Sequence, residues 1–192
     1  MRLLLQILTL LVFTFSVQSC ATFQKSTVNQ QKLTENHLKR INGLYKIRAE
    51  SDSFTVNSDV IYHNAFEKFY RGKGRSSKDT THIVDLDNYS FEIRLLGNKQ
   101  IEITYLKDKV SFRKYTLKYK LKDDGYVYLK NKNFKMIGIP YLIGGIDIKK
   151  LRLTSIDNYL LIEEVYHSSG ATLLIFGDSK TWNYINRYER IE

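Results

Sequence analysis

Residues able to do covalent or acid–base work are few in this 192-residue chain, and they do not gather. The four histidines are His37, His63, His82 and His167. No two stand four apart on a predicted helix, and none sits beside carboxylates at metal-ligand spacing, so no metal site or cofactor is expected. They read as surface or loop histidines. Asp85 and Asp87 would share one face of an extended segment, and paired carboxylates can serve as acid and base. Asp87-Asn88 just before an alternating segment reads more simply as a turn. Glu163 and Glu164 are consecutive, so in a strand they point to opposite faces. No Gly-x-Ser-x-Gly elbow is present. Gly72 and Gly74 lack the spacing of a phosphate-binding loop, which leaves 71–78 as a basic loop able at most to touch anionic head groups. With no nucleophile–base set, the expectation is a protein that is not an enzyme and has no catalytic residues. One reactive side chain remains, the thiol of Cys20, the only cysteine.

Cys20 follows a recognisable leader. Arg2 supplies a positive start, and residues 3–17 are apolar apart from Gln6, Thr9, Thr14 and Ser16. A membrane-crossing helix needs about 20 apolar residues. A shorter run followed by a small residue suits a secretory signal peptide. Val17, Ser19 and Cys20 resemble the lipobox of bacterial lipoproteins, an aliphatic residue, a variable one, a small one and then cysteine. The resemblance implies cleavage between Ser19 and Cys20. It also implies a diacylglycerol on the Cys20 thiol and a further acyl chain such as palmitate on the new amine. Two or more chains give stable anchoring where one does not. An ordinary secretory signal and an uncleaved anchor are the alternatives. A lone cysteine cannot form a disulfide within the chain, and acylation accounts for it. Ala21, rather than Asp, after the cysteine implies transfer to the outer membrane. The absence of an acidic cluster over 22–26 favours its periplasmic side.

These residues divide the chain into a signal peptide (1–19), a lipidated tether (20–41) and a folded domain (42–192). The tether is polar, with a short helix predicted from Thr34 to Ile41. Beyond Asn42 the chain is rich in Tyr (14) and Phe (10), which favour strands. Alternation places Tyr45, Ile47 and Ala49 on one face, then Tyr89, Phe91, Ile93 and Leu95, then Ile101, Ile103 and Tyr105. A phase change near Arg113-Lys114 suggests a bulge. Turns are predicted at Gly97-Asn98, Lys107-Asp108, 122–125, Asp157-Asn158, 168–170 and Gly177-Asp178. Ser58-Asp59 would cap a helix carrying Val60, Ile61, Ala65, Phe66, Phe69 and Tyr70, lying across a barrel end or against the sheet. The expected fold is all-β: an antiparallel β-barrel of about eight or nine strands with one short helix, a sandwich being the alternative.

Asn42-Gly43-Leu44-Tyr45 is similar to the Gly-x-Trp entry of lipocalin-like barrels, with Tyr45 in place of Trp. The resemblance implies that an arginine of the last strand, Arg187 or Arg190, packs over Tyr45. It also implies that a small apolar or amphipathic ligand, or a lipid, binds in the barrel. A cavity for it would be lined by Tyr45, Phe91, Ile103, Phe112 and Leu174. The apolar stretch 138–145 carries the only proline and is bounded by glycines. It reads as a buried strand broken at Pro140 and turned at Gly144-Gly145, or as an apolar lip. Tyr45, Pro140, Tyr141 and Trp182 are the candidate ligand or partner surface. Loss of Arg2 with the leader lowers the formal net charge from +10 to +9, concentrated over 99–135. Export excludes nucleic acid as the natural partner and leaves anionic envelope components. The expected function is a non-catalytic, lipid-anchored envelope protein that binds such a ligand. An accessory lipoprotein docking on an envelope protein complex is the alternative.

Overall fold

A computed structural model describes residues 22–23, 32–56, 59–69, 86–130, 133–139, 143–172 and 176–192. The leader with Ser19 and Cys20, the basic loop 71–78, His82, Asp85, Pro140, Tyr141 and Leu174 lie outside the described residues. The alternating segments form strands β1 (Gly43–Lys46), β2 (Arg48–Val56), β3 (Asp59–Asn64), β4 (Tyr89–Leu96), β5 (Gln100–Lys107), β6 (Val110–Leu121), β7 (Val127–Leu129), β8 (Asn133–Ile139), β9 (Ile143–Ile156), β10 (Tyr159–Thr172) and β11 (Phe176–Glu189). Eight of them lie side by side in the order β1-β4-β5-β6-β7-β9-β10-β11, all antiparallel, and β8 branches off along β9. The sheet curls until its outer strands touch. Tyr45 and Arg190 form a bridge, Leu44 N–H donates to the Glu192 carbonyl (2.8 Å), and Ile191 N–H donates to the Leu44 carbonyl (2.7 Å). The protein is therefore all-β and barrel-like.

Inward residues fill this wall. Tyr45, Phe91, Ile93, Ile101, Ile103, Tyr105, Leu151, Leu153 and Tyr188 are each at most 1% exposed. Burial of one such side chain is worth about 1.5–3 kcal/mol. The Tyr45 ring stacks on Phe91 at 5.5 Å, and Phe91 meets Tyr188 edge-on at 5.3 Å. A 3-10 helix, Glu35–Ile41, closes one end with buried Leu38 and Ile41. Leu33 is buried as well, so the packed unit takes in residues that the sequence assigned to the tether. At the other end, helix α1 (Phe66–Phe69) plugs the barrel. Phe69 packs toward Phe91 (6.1 Å), and Phe66 packs against Tyr105 (5.0 Å) and Tyr89 (5.4 Å).

Three sequence readings are corrected. The helix expected from Ser58 forms only as α1; Asp59–Asn64 is a strand paired with β2. Val60, Ile61 and Tyr62 suit a strand. The Asn64 side-chain oxygen accepts from Phe66 N–H at 3.0 Å, so the cap sits there. The turns read at 168–170 and Gly177-Asp178 are strand, because β10 and β11 pair continuously from Tyr159↔Glu189 to Thr172↔Phe176. Gly144-Gly145 is likewise strand, with Gly145 opposite Gly170. A Cβ on Gly145 would lie 2.7 Å from the Ser169 carbonyl, so that glycine permits close backbone approach rather than reversal. The bulge is real. Tyr105 pairs with Arg113 and Leu106 with Ser111, which leaves Phe112 as the extra residue.

Candidate binding face above the plugged end of the barrel

Strands β9, β10 and β11 are 14 residues each and run past α1 as a ribbon. Its inner face continues the barrel interior row by row. Leu153, Ile162 and Asn186 form one row, Leu151, Glu164 and Tyr184 the next, and Lys149, Tyr166 and Trp182 the third. The rows pass from a dry core to an open aromatic shelf. Leu153 and Ile162 are fully buried, whereas Trp182 and Tyr184 are each 37% exposed. Tyr166 and Trp182 lie 5.4 Å apart, their rings inclined by 31°.

Beneath that shelf lies a buried charge cluster. Lys68 reaches from α1 and donates from Nζ to Glu164 Oε2 at 2.8 Å. Lys149 Nζ lies 3.1 Å from Glu164 Oε1. Lys68 also stands 5.6 Å from the centre of the Tyr184 ring. The side chains of Lys68 and Glu164 are 6% and 10% exposed, that of Lys149 17%. Burial pushes the Glu164 carboxyl up, but the two ammonium groups outweigh it and hold the carboxyl below its ordinary value. Among the described side chains, two ammonium groups thus share one carboxylate under an aromatic surface. Asn186, 1% exposed, adds an inward amide nitrogen with no hydrogen-bond partner among the described residues.

The sequence-derived site residues separate. Tyr45 is fully buried and presents no outer surface. Its hydroxyl donates to the Ile41 carbonyl (2.9 Å) and accepts from Arg190 Nη2 (3.0 Å). The Arg190 guanidinium sits 5.5 Å from the centre of the Tyr45 ring and also donates to the Arg40 carbonyl. Burial raises the Tyr45 hydroxyl pKa against the opposing pull of Arg190. Of the two arginines considered, Arg190 is the one over the aromatic. Trp182 belongs to the shelf. Phe91 and Ile103 pack within the core, and Phe112 is 49% exposed at the rim beside Phe66 and Tyr89. His167 is not a surface residue: it is 5% exposed in β10, its Nδ1 2.8 Å from Thr181 Oγ1. Asp87 lies in a turn, as expected.

Glu163 and Glu164 do point to opposite faces. On the outer wall, Arg152 donates to Glu163 Oε2 from Nε (2.7 Å) and Nη2 (2.5 Å) and to the Tyr128 hydroxyl (3.2 Å). Among the described residues, no three His, Cys, Asp or Glu side chains could hold a metal ion, and no helix is long and apolar enough to cross a membrane. Compared with known proteins, the chain matches no family model, no curated protein and no solved structure at a significant level.

Proposed function

We propose that this chain is the precursor of a non-catalytic lipoprotein of the Gram-negative envelope, anchored through acylated Cys20 to the periplasmic side of the outer membrane, and that its barrel-like domain binds an amphipathic anion. The observation that carries the binding is the Lys68–Glu164–Lys149 cluster under Tyr166, Trp182 and Tyr184. Phe66, Phe69, Phe91 and Tyr105 occupy the barrel interior, so the ligand sits above α1 on the ribbon rather than at the barrel centre. Its apolar part covers the aromatic shelf. Its carboxylate or phosphate meets Lys149, the more exposed cation. The placement of Arg190 over Tyr45 supports the lipocalin-like resemblance, and fold analogy alone does not assign a ligand.

Trp182 is the only tryptophan and therefore reports on the shelf. Titration of the mature chain with dodecanoate shifts Trp182 emission, while dodecanol at the same concentrations shifts it much less. Lys149→Gln weakens dodecanoate binding about tenfold, the equivalent of one charge-assisted hydrogen bond. No response to either compound, or equal responses in both proteins, contradicts the reading. The accessory role has its own support. Met136 in β8, beside the ribbon, and Ile185 in β11 are 55% and 42% exposed, surfaces that a protein partner would cover. Crosslinking at those two positions in intact envelopes, with an adduct lost in Ile185→Asp, would favour it.

A further inference from the structure

We infer that Phe23 clamps the lipid anchor to the outer wall of the barrel, so that the lysine-rich corner around the β6–β7 turn rests on an anionic lipid surface. The inference rests on the acylation of Cys20 proposed above. Phe23 meets the Tyr128 ring edge-on at 5.5 Å and lies 4.5 Å from the Arg152 guanidinium centre. That platform is already fixed. Arg152 is tied to Glu163, lies 3.5 Å from Asp124 and stacks 4.0 Å from the Tyr126 ring centre, and the Tyr128 hydroxyl donates to Asp124 at 2.5 Å.

The chain re-enters the fold at the same corner. Leu33 N–H donates to the Gly125 carbonyl at 3.3 Å. Gly125 has φ +78°, and a Cβ there would lie 2.7 Å from Lys32 Cα. Both ends of 24–31 are therefore tied to one hairpin. Reach follows from chain length. Phe23 is three positions along the chain from Cys20, a span of at most about 11 Å, whereas Leu33 is thirteen positions along, about 45 Å. With Phe23 seated, the acyl chains must leave the protein close to Tyr128. Without it they could hang well clear of the domain.

The charge at this corner fits a lipid surface. Lys118, Lys120 and Lys130 lie on the outer wall beside Tyr128, and Lys122 stands 3.8 Å from the centre of the Tyr128 ring. All four are exposed, as is Lys32. Among the described residues, the acids near this corner include exposed Asp123, exposed Glu35 close to Tyr119, Asp124, which is engaged by Tyr128 and Arg152, and buried Glu163, which is engaged by Arg152. An acyl anchor beside a basic patch is a two-signal membrane attachment. The aromatic shelf is on the other face of the same wall, since Leu151 and Arg152 alternate. Along β9 the shelf row at Lys149 stands three positions beyond Arg152, about 10 Å, and the ribbon tip at Gly145 about 23 Å beyond it. The binding face is thereby turned to the opposite side of the wall from the anchoring corner, and the ribbon tip stands furthest from the leaflet.

The test uses the acylated mature chain with a fluorescent amino acid at position 123 or 178. The protein is reconstituted in phosphatidylcholine–phosphatidylglycerol vesicles with brominated acyl chains. Strong quenching at 123 with little at 178 is expected. Most of the quenching at 123 should be lost in Phe23→Ser, in the triple variant Lys118→Gln, Lys120→Gln, Lys122→Gln, and in vesicles of phosphatidylcholine alone. Equal quenching at the two positions, or quenching at 123 unchanged by Phe23→Ser, overturns the clamp. Quenching indifferent to phosphatidylglycerol overturns the electrostatic contact. Circular dichroism confirms that each variant is folded. If mass spectrometry finds no diacylglycerol on Cys20, the lipoprotein reading fails. The clamp is then decided separately by coupling a maleimide lipid to the Cys20 thiol of the same mature chain and repeating the comparison.

Discussion

Replacing Glu164 by glutamine removes the carboxylate that joins Lys68 to Lys149 and leaves Lys68, whose side chain is 6% exposed, as a buried cation without its counter-ion. Breaking a buried pair from one side costs about 3–5 kcal/mol. The glutamine carbonyl still accepts one hydrogen bond, so the expected loss is about 2–4 kcal/mol. For a domain of this size that lowers the melting midpoint by about 5–15 °C. Lys68→Met is milder, about 1–2 kcal/mol, because Glu164 keeps Lys149. The decisive species is the double variant. With an apolar side chain at 68 and a neutral one at 164, no buried charge remains, and Lys149 is exposed enough to turn toward solvent. The double variant should therefore be more stable than Glu164→Gln alone, with a coupling of about 1–3 kcal/mol. Urea unfolding of the mature chain at neutral pH, with an unchanged m-value across the four proteins, measures it. Additive losses would refute the cluster as a coupled charge unit.

Other outcomes follow from the same structure. The Glu164 carboxyl is lowered by its lysines, so its contribution is complete above the unfolded value of roughly 4.3 and is lost as pH falls through the lower folded value. The stability gap between wild type and Glu164→Gln should close on acidification, which chemical unfolding across that range would reveal. Arg190→Met removes a charged hydrogen bond and a cation–π contact from Tyr45 at the seam of the sheet. A loss of about 2–3 kcal/mol is expected; the part owed to Tyr45 is absent when Tyr45 is already Leu, and the part owed to the Arg40 carbonyl remains. Gly125→Ala forces a left-handed alanine against the Lys32 backbone and should cost about 1–3 kcal/mol in thermal unfolding. Cys20→Ser should abolish acylation and release the protein from the membrane fraction; a variant that still fractionates as an acylated membrane protein would sink the localisation.

Much of the wall was legible because strand alternation is local. Tyr89 to Leu95 and Ile101 to Tyr105 show their inward faces in the order of residues alone, and β4 and β5 bury Phe91, Ile93, Ile101 and Ile103. The Tyr45–Arg190 seam was legible only through a motif, and the motif left two arginines open. The charge cluster was not legible as a pair, since Lys68 and Glu164 are 96 positions apart and no spacing connects them. One signal existed. Glu164 falls in phase with Leu160 and Ile162, so an inward charge needing a counter-ion could be inferred. Ser168-Ser169-Gly170 misled because small residues mark reversal and close backbone approach alike, and only the facing Gly144-Gly145 strand decides between them. Phe23 carried no signal within a polar tether; its partners come from β7 and β9.

The most direct test of the central claim is native mass spectrometry of the mature protein extracted from its own envelope. The account predicts, beyond the covalent lipid on Cys20, a reproducible non-covalent mass that is lost on denaturation, fragments as an amphipathic anion and diminishes in Lys149→Gln. A folded protein that carries only its covalent lipid, with the same spectrum in Lys149→Gln, would contradict a ligand on the aromatic shelf.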